Sequence, residues 1–177
     1  MKKVWIPISD GMHMKKKHKF ILGTVAILIV VGCCIGYSQY QRYQRSNEYA
    51  YELLKVKSSL EQIVQYSQNC IESITSGERE ETHGELMQSV TELDWAVSKI
   101  ALLYTEGNLS RYIFELSDHL NGTYPHLSND TKVYWLQSIQ NASKEFLAVL
   151  ESNSVMSIYD FRTAVRSFST ALPTYDG

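Results

Sequence analysis

The chain has 177 residues, with 17 Lys and Arg against 19 Asp and Glu, and 44% of it is apolar. Plentiful apolar residues and a net charge of only −2 exclude an intrinsically disordered chain. Its 3 cysteines, two of them adjacent, exclude a disulfide-stapled fold, so any core must hold by packing.

Residues 1–19 are basic: Lys2, Lys3, Lys15, Lys16, Lys17 and Lys19 stand against Asp10 alone. Met14-Lys15-Lys16-Lys17-His18-Lys19 is by itself a complete positively charged lead-in to an apolar segment. Val4-Trp5-Ile6-Pro7-Ile8 adds an apolar piece that such a lead-in does not need. Translation starting at Met12 or Met14 would account for it.

Residues 20–37 read FILGTVAILIVVGCCIGY, eighteen residues without a charge. As a helix this run spans about 27 Å, close to the roughly 30 Å hydrocarbon core of a bilayer. Backbone polar groups cannot go unpaired in lipid, so the run is expected to be a transmembrane helix. Beyond it lie 11 basic and 18 acidic residues. The positive-inside bias then predicts a single-pass cell-membrane protein with a cytoplasmic N-terminus and residues 38–177 as an extracytoplasmic domain. Tyr37, Tyr40 and Tyr43 follow at helical spacing among Gln and Arg, as membrane-interface tyrosines do. Two other readings of the apolar run stay open. A cleaved signal peptide is disfavoured by the lack of a small-x-small cleavage site. A lipoprotein is favoured by Val30-Val31-Gly32-Cys33, which resembles a bacterial lipobox. On that reading Cys33 is acylated and becomes the first residue of the mature chain.

The exported part is expected to be all-α: an antiparallel bundle of four to five helices, the first continuing from the membrane run. Ala50, Leu53, Leu60, Val64, Ile71 and Ile74 recur at helical spacing, interrupted by Lys57 and Ser67, up to a stop at Ser76-Gly77. Cys70, beside Ile71, is read as a buried thiol acting as a small hydrophobe, with a disulfide between two chains as the alternative. A second helix opens at Thr82-x-x-Glu85, a capping-box spacing, and carries Leu86, Val90, Leu93, Val97, Ile100 and Tyr104 to an end near Gly107-Asn108. A short third helix turns Leu109, Ile113, Leu116 and Leu120 inward and closes at Asn121-Gly122. Thr123 to Leu127 is the one clear linker, where Pro125 is expected to hold Tyr124 extended. A fourth helix, capped from Ser128 to Asp130, carries Val133, Leu136, Ile139, Phe146, Leu147 and Leu150. Ser157-x-x-Asp160 starts the last, with Ile158, Phe161, Val165, Phe168 and Leu172, and Pro173 ends it. No alternating segments with turn dipeptides are present, so no sheet is expected.

Two stretches are alike. VSKIALLYTEGN (97–108) lies over ASKEFLAVLESN (142–153), and Ser110, Tyr112 and Phe114 then match Ser157, Tyr159 and Phe161. The pattern suggests two related helical hairpins of about 45 residues. The alternative is that caps and helical periodicity recur by necessity.

Catalytic chemistry finds no footing: no glycine-flanked serine, phosphate-cradling loop or Cys-x-x-Cys is present. No cofactor is expected. Glu80, Glu81, His83 and Glu85 have metal-type side chains, but positions two apart on a helix face away from each other. His119 and His126 flank a Gly/Pro loop and read as caps. Asp94 is a candidate partner for Arg162 or Arg166. Tyr104, Tyr112, Tyr124, Trp135 and Tyr159 read mostly as core or core rim. Asn108, Asn121, Asn129 and Asn141 begin Asn-x-Ser/Thr sequons, which matter only in a lumenal compartment. The acidic balance beyond the anchor argues against nucleic acid. The expected function is a non-enzymatic interaction domain for a protein partner or cell-envelope component, with a homodimer through the first helix as one arrangement. A sensor input acting through a partner membrane protein is the alternative.

Overall fold

A heptad pattern organises the long first helix. Tyr49, Leu53, Val56, Leu60, Ile63, Ser67, Cys70 and Ile74 advance in alternating steps of four and three, and all but the half-buried Leu53 are buried. That spacing holds one seam of a helix against its neighbours over several turns. The computed structural model describes residues 10–78, 82–106, 109–152 and 156–173, except for the side chains of 10–23, 26, 110 and 112. Helix α1 is Asp10–Ser76, α2 His83–Tyr104, α3 Leu109–Gly122, α4 Asn129–Ser152 and α5 Ile158–Ala171, with a 3-10 turn at Tyr124–His126 between α3 and α4. Among the described residues there is no strand. The chain divides into two units, Met1–Ser46 and Asn47–Gly177.

The described residues of the first unit all belong to α1. Val25, Ile27, Leu28, Ile29, Val30, Val31 and Ile35 are all exposed. Among the described residues no helix is long and apolar enough to cross a membrane. The side chains of Phe20, Ile21, Leu22, Gly23 and Ala26, part of the apolar run 20–37, lie outside the described residues. Any eighteen-residue window that starts beyond Ala26 runs into Gln39, Gln41, Arg42 and Gln44. Met12, Met14 and the lysines from Lys15 to Lys19 have no described side chains, and residues 1–9 lie outside the description altogether.

The second unit is the bundle. Here α2 packs on α3, α4 on α5, and α3 on α5. Side chains tie α1 to the others: Gln140 of α4 donates to the Val64 carbonyl at 3.3 Å, and Lys57 pairs with Glu151 at 3.0 Å. Ser89 Oγ on α2 lies 3.3 Å from Gln62 Oε1 and 2.9 Å from its own helix's Glu85 carbonyl, so its single proton serves one of them at a time. Aromatic rings run through the middle. Tyr49 meets Tyr104 and Phe161 edge-on, with centroids 5.3 and 6.3 Å apart, and Phe146 lies 6.0 and 5.9 Å from Phe161 and Phe168. Each such side chain, fully buried, contributes about 1.5–3 kcal/mol by leaving water. The Tyr49 hydroxyl, Ser67 Oγ and Ser143 Oγ are buried with no hydrogen-bond partner.

Helix ends follow the chain's local chemistry in most places. Gly77 takes φ 75°, and the Gly77 and Glu78 N–H groups donate to Ile74 and Ser73 at 3.2 and 2.8 Å. This is a Schellman stop, which the glycine takes without steric cost. The Ser157 hydroxyl accepts from Asp160 N at 3.1 Å and donates to Asp160 Oδ2 at 2.6 Å, capping α5 as its spacing predicts. Ser128 Oγ accepts from Thr131 N at 3.3 Å to cap α4.

Four expectations need correction. The inward edge of α1 lies one residue from the one expected: Ala50 is exposed and Val64 and Ile71 only half-buried, while Val56, Ile63 and Cys70 are fully buried. At Thr82 no side-chain cap forms, and its hydroxyl instead lies 3.3 Å from Cys70 Sγ. Helix α2 ends earlier than Gly107, with Thr105 at φ 58° and the Glu106 N–H on the Ala101 carbonyl at 2.8 Å. The chain must turn this early because Leu109, 2% exposed, already begins the buried face of α3. Gly107 and Asn108 themselves lie outside the described residues. Tyr124 is not extended but opens the 3-10 turn, its ring stacked on His83 at 4.9 Å and faced by Lys132 at 5.1 Å. Burial of that ring outweighs the preference that Pro125 imposes on its neighbour. Cys70 is 0% exposed and part of the core, in line with its reading as a small hydrophobe rather than with the alternative of a disulfide to a second chain.

The aligned positions of the two suggested hairpins do not share one register of burial. Helices α2 and α4 have 22 and 24 residues, and α3 and α5 have 14 each. In the long helices the alignment matches burial at Val97 with Ala142 and at Ala101 with Phe146, but pairs buried Ile100 with exposed Glu145. In the short helices it pairs Phe114, 60% exposed, with Phe161, 0% exposed. A true structural equivalence would put both rings on the same face.

Candidate functional site

The best-formed concavity among the described residues is a trough between α4 and α5, about 410 Å³ in volume. Ala142, Glu145, Phe146 and Val149 line it from α4, and Asp160, Thr163, Ala164, Ser167 and Phe168 from α5. Both sets recur at three and four, so each helix presents one continuous face. The trough exists because small side chains stand where large ones would close the seam: Ala142 and Ala164 are buried yet leave the rings of Phe146 and Phe168 as its floor. No described residue from a third element lines it.

Its charge is one-sided. Glu145 and Asp160 are exposed on opposite walls, and the described lining residues include no Lys or Arg. Asp160 is partly committed to the Ser157 cap through Oδ2. Thr163 Oγ1 donates to the Tyr159 carbonyl of its own helix at 3.0 Å. The trough is therefore an apolar floor flanked by two carboxylates.

The residues singled out from sequence are spread along the chain. Cys33 is an exposed free thiol on α1. Tyr37, Tyr40 and Tyr43 are exposed, and Gln41 and Gln44 donate to the Tyr37 and Tyr40 hydroxyls at 3.0 and 2.8 Å. The stripe from Tyr49 to Ile74 is covered by the chain's own helices, which leaves a homodimer through α1 only the outer face of that helix and the exposed segment before it.

Asp94 meets neither arginine. Arg162 pairs instead with Glu106, at 3.2 and 3.3 Å to its two oxygens. Asp94 Oδ1 is buried with no hydrogen-bond partner, and burial pushes its carboxyl above the usual range. His83 stacks on Tyr124, His119 meets Trp135 edge-on at 5.9 Å, and His126 is exposed in the 3-10 turn. Glu80 and Glu81 lie outside the described residues, and among those described no group of three or more metal-type side chains gathers. Tyr124 and Trp135 are core, Tyr104 is half-buried, and Tyr159 is 70% exposed, contrary to the expected core or rim place. The Tyr112 side chain and Asn108 lie outside the description; Asn121, Asn129 and Asn141 are exposed.

Sequence reading missed the trough. Its signal was the pair Ala142 and Ala164, alanines at core-facing positions of two consecutive helices, but only the fold brings both to the lining of one trough. Comparison with protein-family models, with curated proteins and with solved structures finds no match.

Proposed function

We propose that this chain is a non-enzymatic interaction protein held at a membrane by its N-terminal apolar run, with the bundle on the extracytoplasmic side. The observation that carries the anchor is the exposed apolar surface of α1. Ile27 to Val31 are five consecutive exposed apolar residues. Successive residues on a helix lie about 100° apart, so this surface goes all the way round the helix. A helix apolar on every side needs an apolar medium. The lysines on one flank and Tyr37, Tyr40 and Tyr43 on the other suit the two interfaces of a bilayer. For the interaction role the support is the open α4–α5 trough.

A second reading of the anchor rests on Val30-Val31-Gly32-Cys33 and the exposed Cys33 thiol. There acyl chains on Cys33 replace the span, and the bundle stays on the same side. Two measurements test these readings. Protease added to sealed protoplasts is expected to degrade the bundle; complete protection would overturn the topology. Labelling with acyl precursors, with Cys33→Ala as the control, separates the two anchors: label lost in the variant marks the lipoprotein, and no label in either marks the span.

A further inference from the structure

We infer that the α4–α5 trough seats an amphipathic helix of a partner protein, with a Lys or Arg of that helix placed between Glu145 and Asp160. This rests on the interaction reading and names the partner's chemistry. The shape argues for a chain-like occupant. The described lining comes from two helices, and positions from Ala142 to Val149 and from Asp160 to Phe168 extend it over about two helical turns of each. A small molecule lying there would keep one side in water, whereas a good small-molecule pocket covers most of its ligand. A helix laid along the seam covers the Phe146 and Phe168 rings and meets the small side chains of Ala142, Ala164 and Ser167, which permit close backbone approach. Recognition of this kind reads residues at i, i+3, i+4 and i+7.

Charge decides the sign of the partner. Both charged lining residues are acidic, and residues 38–177 carry 11 basic against 18 acidic side chains. An acidic partner helix would set carboxylates against Glu145 and Asp160, a juxtaposition that interfaces avoid. A second copy of this bundle would bring the same two carboxylates to the same seam and is disfavoured for the same reason.

The test uses the full chain in phosphatidylcholine nanodiscs, with empty discs as background. The probes are a dye-labelled peptide with an Ala/Leu face flanked by Lys at one-turn spacing, and a twin with every Lys replaced by Glu. The Lys peptide is expected to bind and the Glu twin not. Glu145→Lys on α4 and, independently, Thr163→Lys on α5 are each expected to weaken binding roughly tenfold, since each replaces attraction by repulsion at an exposed position. Circular dichroism of both variants checks that the bundle stays folded. A photoreactive p-benzoylphenylalanine at position 163 is expected to crosslink the Lys peptide. Equal binding of the two peptides, indifference to both variants, a crosslink from 163 to a second copy of the chain, or full displacement of the peptide by tetraphenylphosphonium would each overturn the inference. The same photoreactive residue at Trp95, exposed on α2, separates this failure from that of the wider reading. A native partner protein captured at 95 and not at 163 sinks the trough while the interaction role stands.

Discussion

Gln140 Nε2 lies 3.0 Å from Gln68 Oε1, so the buried middle of α4 is fastened to α1 by a side-chain amide. The same nitrogen reaches the Val64 carbonyl, and Gln140 Oε1 accepts from Lys144 Nζ at 3.0 Å. Gln140 is only 8% exposed, so its amide is satisfied by protein on both ends. Gln140→Ala is expected to lower the unfolding free energy by about 1–2 kcal/mol, and Gln140→Leu by less, because leucine refills the space and leaves no buried amide behind. Urea unfolding followed by circular dichroism measures both. A larger loss for leucine than for alanine would show that the amide is not what joins the helices.

The register of α1 is open to a direct check. Ile63→Ala removes a side chain that is 0% exposed and is expected to cost about 2–5 kcal/mol. Ala50→Ser, on the face that the sequence pattern would have placed inside, is expected to change stability by less than about 0.5 kcal/mol. The two unfolding midpoints, compared with that of the parent chain, distinguish the seams.

Two helix starts with the same spacing should respond differently. Ser157→Ala deletes the bond from Asp160 N and is expected to cost about 1 kcal/mol. Thr82 makes no side-chain cap, so Thr82→Val should spare the start of α2 and disturb only the contact with Cys70. An equal loss in both variants would mean that the Thr82 hydroxyl caps in solution after all.

Thr105 holds a left-handed backbone at φ 58°, an uncommon place for a β-branched residue. Thr105→Gly is expected to raise stability by about 1 kcal/mol by relieving that crowding while keeping the Schellman bonds. Thermal unfolding gives the sign; a lowered midpoint would place the φ of this turn elsewhere.

Asp94 gives the bundle a pH-dependent weakness. Its folded carboxyl is pushed up by burial, so the ionised form is the one the fold disfavours. The cost is fully present above the raised folded value, falls as pH drops through it, and is gone below the ordinary carboxylate value. Asp94→Asn is therefore expected to be more stable than the parent at pH 7, with the gap closing as the medium is acidified. Urea midpoints at neutral and acid pH measure it; a gap that widens on acidification would reverse the sign of the argument.

Helical class, the number of helices after the long first one, and most of their ends were already determined by the sequence. Gly77 supplies a left-handed residue, Ser128 and Ser157 supply oxygens for orphan N–H groups, and Leu109, Ile113, Leu116 and Leu120 leave α3 only one face to bury. These are local demands, met by neighbours a few residues away. What the tertiary structure alone decided depends on residues far apart in the chain. Val56 and Ile63 are the inner edge of α1 because α2, α4 and α5 stand on that side; on a helix with apolar residues at both 63 and 64, periodicity cannot say which. Thr82 turned from its own backbone to Cys70, twelve positions back. Phe114 and Phe161, equivalent by letters, ended on opposite sides of their helices. The trough belongs to the same group: small side chains on two helices line one trough only when packing brings those helices together, and no spacing along the sequence records that meeting.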